Sequence, residues 1–186
     1  MKFTFKVPQE TPLFSMKNAG WFKLDELNRT KKIIYGLLVG LISVGILDVF
    51  IGQFILREEF DFFVYKKIYL FFLLIPAHEL IHALFSPNLK ETTIGFYTKS
   101  LIFFVNPSGI LTKKRLMLLL FSPFFCLTIV PLILLVFFRL EIFAYIALYN
   151  MLGSGVDVIS MIEISKHKNK SLFQFNGAEL YINNQC

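Results

Sequence analysis

Four apolar runs, near residues 33–55, 68–85, 116–138 and 142–164, constrain this chain more than any other feature. Each comes close to or exceeds the roughly 20 residues that cross about 30 Å of hydrocarbon at 1.5 Å per residue. A chain of 186 residues is long enough for one soluble domain, but 55% apolar residues, 17% aromatics and a mean hydropathy of +0.62 do not suit a soluble surface. The expected fold class is therefore an all-α membrane protein: four transmembrane helices, with a short cytoplasmic-side β-hairpin-like insert between the second and third. Residues 1–32 form a cytoplasmic or interfacial arm in this reading, 33–164 the transmembrane core and 165–186 a cytoplasmic tail. The first apolar run follows some thirty mixed residues and has no small-residue cleavage site after it, so no cleavable signal peptide is expected.

Basic residues set the orientation. Lys17, Lys23, Arg29, Lys31 and Lys32 precede the first run; Lys90, Lys99, Lys113, Lys114 and Arg115 lie between the second and third; Lys166, Lys168 and Lys170 follow the fourth. Such segments stay cytoplasmic, so both termini and the middle loop are expected on that side. The loop from Arg57 to Lys67 and the short Arg139–Glu141 hairpin carry no such excess and are expected outside. The net charge of +6 follows from this asymmetry and from attraction to anionic headgroups of the lipid bilayer, and it requires no nucleic acid. The bias toward Lys, Ile, Phe and Asn suits an AT-rich bacterial genome, which places the chain in a cytoplasmic membrane. Cys126 and Cys186 form no metal-binding pattern and are read as reduced.

The middle loop is the least helical part. Its stretch ETTIGFYTKSLIFFVNPSGIL is rich in β-branched and aromatic residues and ends in the turn signal Asn106, Pro107, Ser108, Gly109. A hairpin at the cytoplasmic interface is expected there. The segment from Ile94 to Val105 is suited to pairing with an extended substrate.

Within the second run stands His78-Glu79-Leu80-Ile81-His82. On a helix, residues i and i+4 share a face, so both imidazoles reach one zinc ion at about 2.0–2.1 Å, and Glu79 stands beside it as a general base for a water whose pKa the metal lowers to about 7. Ionisable residues within a span cost roughly 2.5–3.5 kcal/mol each on insertion scales and normally serve a pathway, a pair or a site. The bland alternative is a Glu–His hydrogen bond inside a packed bundle; it leaves unexplained why two of the three histidines fall in this motif.

A catalytic zinc takes a third protein ligand and keeps a fourth position open. Asp48, Glu141, Asp157, Glu163 and His167 are the candidates. Counted along straight helices, the histidines lie roughly 9 Å from the cytoplasmic boundary and Asp157 roughly 10 Å, whereas the others fall at different heights. Asp157 is therefore the expected ligand. In NMLGSGVD, Asn150, Gly153 and Ser154 share its helix face, which is small enough for close helix approach. Asn150 is placed to hold substrate backbone or an oxyanion. Pro76 loosens the helix just before His78, and Asp48 has no assigned role.

HELIH in one apolar run, a β-like insert, and N-x-x-G-S-G-V-D in a later run resemble the small integral-membrane zincin peptidases related to the site-2 proteases, the intramembrane metalloproteases. The resemblance covers about Ile68 to Ile164. It implies a Zn2+-dependent intramembrane metalloprotease with His78, His82 and Asp157 as metal ligands and Glu79 as catalytic base, acting on a membrane-protein or peptide substrate. Glycines stand where the site-2 motif usually has prolines, and Val158 follows Asp157 where glycine is usual. Two other classes fit less well: an inactive scaffold that retains zinc, which has no use for Glu79, and a small transporter, which would spread polar groups through the membrane thickness.

Overall fold

The computed structural model describes residues 1–4, 20–24, 29–56, 67–97, 102–176 and 179–184. The expected outer loop except Lys67, Leu101 in the insert and Cys186 lie outside them. The chain divides into two compact units, Arg29–His78 with Phe121–Ser160, and Met1–Asn28 with Glu79–Leu120 and Met161–Cys186.

The first unit is helical. Helix α1 (Arg29–Phe50) continues into a π-helical stretch, Ile51–Leu56, and α2 (Ile68–Leu84) enters it with its first turns. Helix α3 (Lys113–Phe124) leads into a second π-helical stretch, Phe125–Ile129, then α4 (Val130–Phe138), α5 (Glu141–Gly153) and α6 (Gly155–Ser165). Val44, Ile51, Ile55, Leu135, Ala144, Tyr145, Leu148 and Tyr149 form its core. The opposite faces stay apolar and exposed, Ile46 at 68% and Phe137 at 76%, as suits helices whose outer surface meets lipid.

Glycines bring α1 against the α5–α6 junction. A Cβ on Gly36 would come within 2.7–2.9 Å of Val156, one on Gly40 within 2.6 Å of the Leu152 carbonyl, and one on Gly155 would overlap the Gly36 carbonyl. Backbones approach this closely only where no side chain intervenes.

The second unit is built on two sheets. One has the order β1–β3–β4 (Lys2–Thr4, Thr93–Tyr97, Ile102–Asn106), with β1 parallel to β3 and β3 antiparallel to β4. The other has the order β2–β7–β6–β5 (Phe22–Lys23, Glu179–Asn183, Leu172–Asn176, Ile110–Thr112), antiparallel throughout. Alternation in LFQFN and ELYIN turns Phe173 and Ile182 to one face, where they join Leu111, Leu116 and Ile164 in one core, and turns Tyr181 to the other, where it packs with Trp21.

Two expectations are corrected. The protein is not all-α: its strands lie in the insert and also in segments assigned to the N-terminal arm and C-terminal tail. The strands are two to five residues long, and most of the second sheet pairs segments distant in sequence, so no local apolar period announces them. Nor are there four uniform spans. Among the described residues two helices are long and apolar enough to cross a membrane, Thr30–Leu56 and Lys113–Phe138. Ile68–Leu84 has 17 residues, and the fourth run breaks into α5 and α6, bent by 51°. Hydropathy averages over that break, because Ser154 and its glycine neighbours scarcely lower the mean while they permit the turn.

Candidate metal centre

Helix α2 runs unbroken through His78, Glu79 and His82, so the two histidines stand one turn apart on one face. Glu79 follows His78 by about 100° around the helix and therefore flanks that face. It is half-buried.

The break in the fourth run supplies the group that meets His78. Ser154 ends α5 with φ −71° and ψ −8°, its amide donating to the Asn150 carbonyl at 2.8 Å, and Asp157 falls in the first turn of α6. His78 Nε2 lies 3.0 Å from Asp157 Oδ2, with the two side chains only 12% and 17% exposed.

Asn150 fixes the other side of the ring. Its Nδ2 donates to the Pro123 carbonyl at 3.2 Å, to Thr128 Oγ1 at 2.9 Å and to Ser154 Oγ at 3.2 Å. Because the Pro123 carbonyl only accepts, this nitrogen must face it, and Oδ1 is left facing His78 Nδ1 at 2.9 Å. His78 Nδ1 therefore carries the hydrogen and Nε2 presents a lone pair. With its amide hydrogens committed and only 2% exposed, Asn150 has none to offer an oxyanion.

His82 is held the same way. Its buried Nδ1 lies 2.8 Å from the Leu119 carbonyl, which can only accept, so Nδ1–H donates and Nε2 again presents a lone pair.

These residues fit a metal. The ligand atoms of His78, His82 and Asp157 all lie within 4.8 Å of one another, the sole such group of three among the described residues. Zinc bonds of 2.0–2.1 Å at a tetrahedral angle set neighbouring ligands roughly 3.3 Å apart, close to the His78–Asp157 separation. A bare imidazole nitrogen facing a carboxylate oxygen at 3.0 Å also calls for a positive centre, whether proton or metal. The set of two imidazoles and one carboxylate is a borderline donor set that suits zinc.

The sequence matches the profile of a family described as "Putative zincin peptidase" over residues 71–172, more than half of the chain. The chain belongs to that family. Zinc is the metal a zincin takes, and a zincin's peptidase chemistry fits the donor set found here. Neither a curated protein nor a solved structure matches the chain.

The remaining candidate ligands are placed elsewhere. Glu141 pairs with Lys67 at 3.0 Å, Glu163 is buried in α6, the His167 ring packs edge-on against Phe173, and Asp48 is half-buried in α1. Sequence reasoning passed over Leu119, Pro123 and Thr128. A signal was present in Pro123 alone, since a proline inside a helix leaves the carbonyl four residues earlier without its usual amide.

Proposed function

We propose that this zincin is a zinc-dependent peptidase that hydrolyses a peptide bond in or beside a membrane-spanning segment of its substrate. The convergence of His78, His82 and Asp157, with Glu79 on the same helix, carries the reading. When bound, zinc supplies an electrophile for the scissile carbonyl and acidifies a water molecule. Glu79 flanks the ligand face, where its carboxylate takes the water's proton and returns it to the departing amine. Asn150 and the Leu119 carbonyl hold the two imidazoles in one tautomer, so no reorientation accompanies the reaction. The partial burial of His78 and Asp157 keeps bulk water from competing with the ligand set.

Two helices able to cross a membrane support a bilayer setting, and the distribution of lysines and arginines supports cytoplasmic termini. An intact transmembrane helix hides its peptide bonds, so a substrate is cut in extended form. Strand β4 lies at the edge of its sheet among the described residues, and an extended segment adds there by backbone hydrogen bonding.

The deciding experiment is elemental analysis of detergent-purified protein, coupled to cleavage of fluorescent casein. Wild type is expected to hold about one zinc per chain and to cleave. His82→Ala and Asp157→Ala lose the zinc, while Glu79→Gln keeps it without cleaving. Wild type prepared without chelators and found free of zinc would overturn the reading.

A further inference from the structure

Both histidines of the site are oriented by acceptors on one short length of chain. His82 Nδ1–H donates to the carbonyl of Leu119. His78 Nδ1–H donates to Asn150, whose amide in turn donates to the carbonyl of Pro123 and to Thr128 Oγ1. These acceptors lie at positions 119, 123 and 128, running from α3 into the π-helical stretch.

The spacing has a physical reading. In an α-helix the Leu119 carbonyl accepts from the amide of residue 123, but residue 123 is proline and has no amide hydrogen. The Leu119 carbonyl therefore receives no hydrogen from position 123, and it accepts one from His82 Nδ1. Pro123 and Thr128 are five residues apart, which in an α-helix sets them about 140° apart around the axis. The π-helical winding over Phe125–Ile129 stacks residue i+5 near residue i and so turns Thr128 toward the side of the Pro123 carbonyl. Thr128 is fully buried, and it spends that burial on the Asn150 amide.

We propose that Pro123, with the π-helical turn after it, is the positioning element of this metal centre: its missing amide hydrogen assigns the Leu119 carbonyl to His82, and its own carbonyl together with Thr128 orients Asn150 toward His78. Both Nε2 lone pairs are thus set by one interruption in one helix. The assignment rests on the metal-binding reading above and adds to it residues that touch neither metal nor substrate. Two substitutions should undo it. An alanine at 123 returns the amide that competes for the Leu119 carbonyl, and a valine at 128 keeps the volume of threonine while removing the acceptor.

The test is zinc affinity, measured by competition with a chromogenic chelator on detergent-solubilised full-length protein, beside thermal melts of the same proteins stripped of metal. Wild type, Pro123→Ala, Thr128→Val and Thr128→Ser are compared. Pro123→Ala and Thr128→Val are expected to bind zinc about 10–100-fold more weakly, with Thr128→Ser restoring affinity. The stripped Pro123→Ala protein gains an amide but loses buried ring carbons, so its melting temperature is the control against which its loss of affinity is read. Affinities unchanged in both weakened variants would overturn the proposal while leaving the metal centre standing. A loss of affinity that only tracks a lower melting temperature and is not restored by serine would overturn it too, as ordinary loss of packing. A wild type that binds no zinc would remove the metal-centre reading together with this one.

Discussion

His78 Nε2 faces Asp157 Oδ2 across 3.0 Å while the other nitrogen of the same ring is committed to Asn150. Replacing Asp157 by asparagine keeps the shape and removes the charge. Zinc affinity is expected to fall at least about 10-fold with the fold retained, read by chelator competition beside circular dichroism. Unchanged affinity would remove Asp157 from the ligand set.

Glu79 lies off the ligand face of α2, so its substitution should separate binding from turnover. Glu79→Gln is expected to hold zinc as wild type does and to lose about 10²–10⁴ in kcat. Parallel loss of zinc would make it a ligand instead.

Metal removal should loosen the protein. A ligand at 100 times its Kd stabilises by about 2.7 kcal/mol, so chelation should lower Tm by several degrees and added zinc should restore it. His82→Ala should melt at one temperature with or without chelator; a continued response would place the metal elsewhere.

The glycine contacts make a paired prediction. Gly155→Ala drives a methyl into the Gly36 carbonyl beside the break that carries Asp157, and should cost about 1–3 kcal/mol and weaken zinc binding. Gly153, two residues earlier, is exposed with open space around its Cβ position, so Gly153→Ala should be neutral or slightly stabilising. Equal effects in chemical denaturation would dismiss close backbone approach as the reason for Gly155.

Phe173 is fully buried in the sheet unit. Phe173→Ala should destabilise by about 3–5 kcal/mol, far more than truncation within a solvated tail would. A change below about 1 kcal/mol in urea titration would show that the segment packs no core.

The grouping of the candidate ligands was more legible in the sequence than the architecture. His78, Glu79 and His82 are a local pattern, since one helical turn is enough to align them. Counting along straight helices brings Asp157 level with the histidines, yet in the structure it lies beyond a 51° break. The sequence marks that break only by Gly153, Ser154 and Gly155, whose turn depends on the Gly36 backbone more than a hundred residues away. The sequence marks Asn150 by its amide, but which way the amide points is decided by Pro123 and Thr128, and no helical spacing reveals that. The strands were the least legible: β2 has two residues and gains its identity only from β7.

That pairing fixes an order of events. Phe22 and Lys23 bond to residues roughly 160 positions later, so on a ribosome the second sheet cannot close until nearly all of the present sequence has been synthesised. The helix that carries His78 and His82 is complete long before then. Translation thus delivers the His78–His82 motif first and closes the second sheet last, leaving an interval in which the nascent chain carries the motif before that sheet can form.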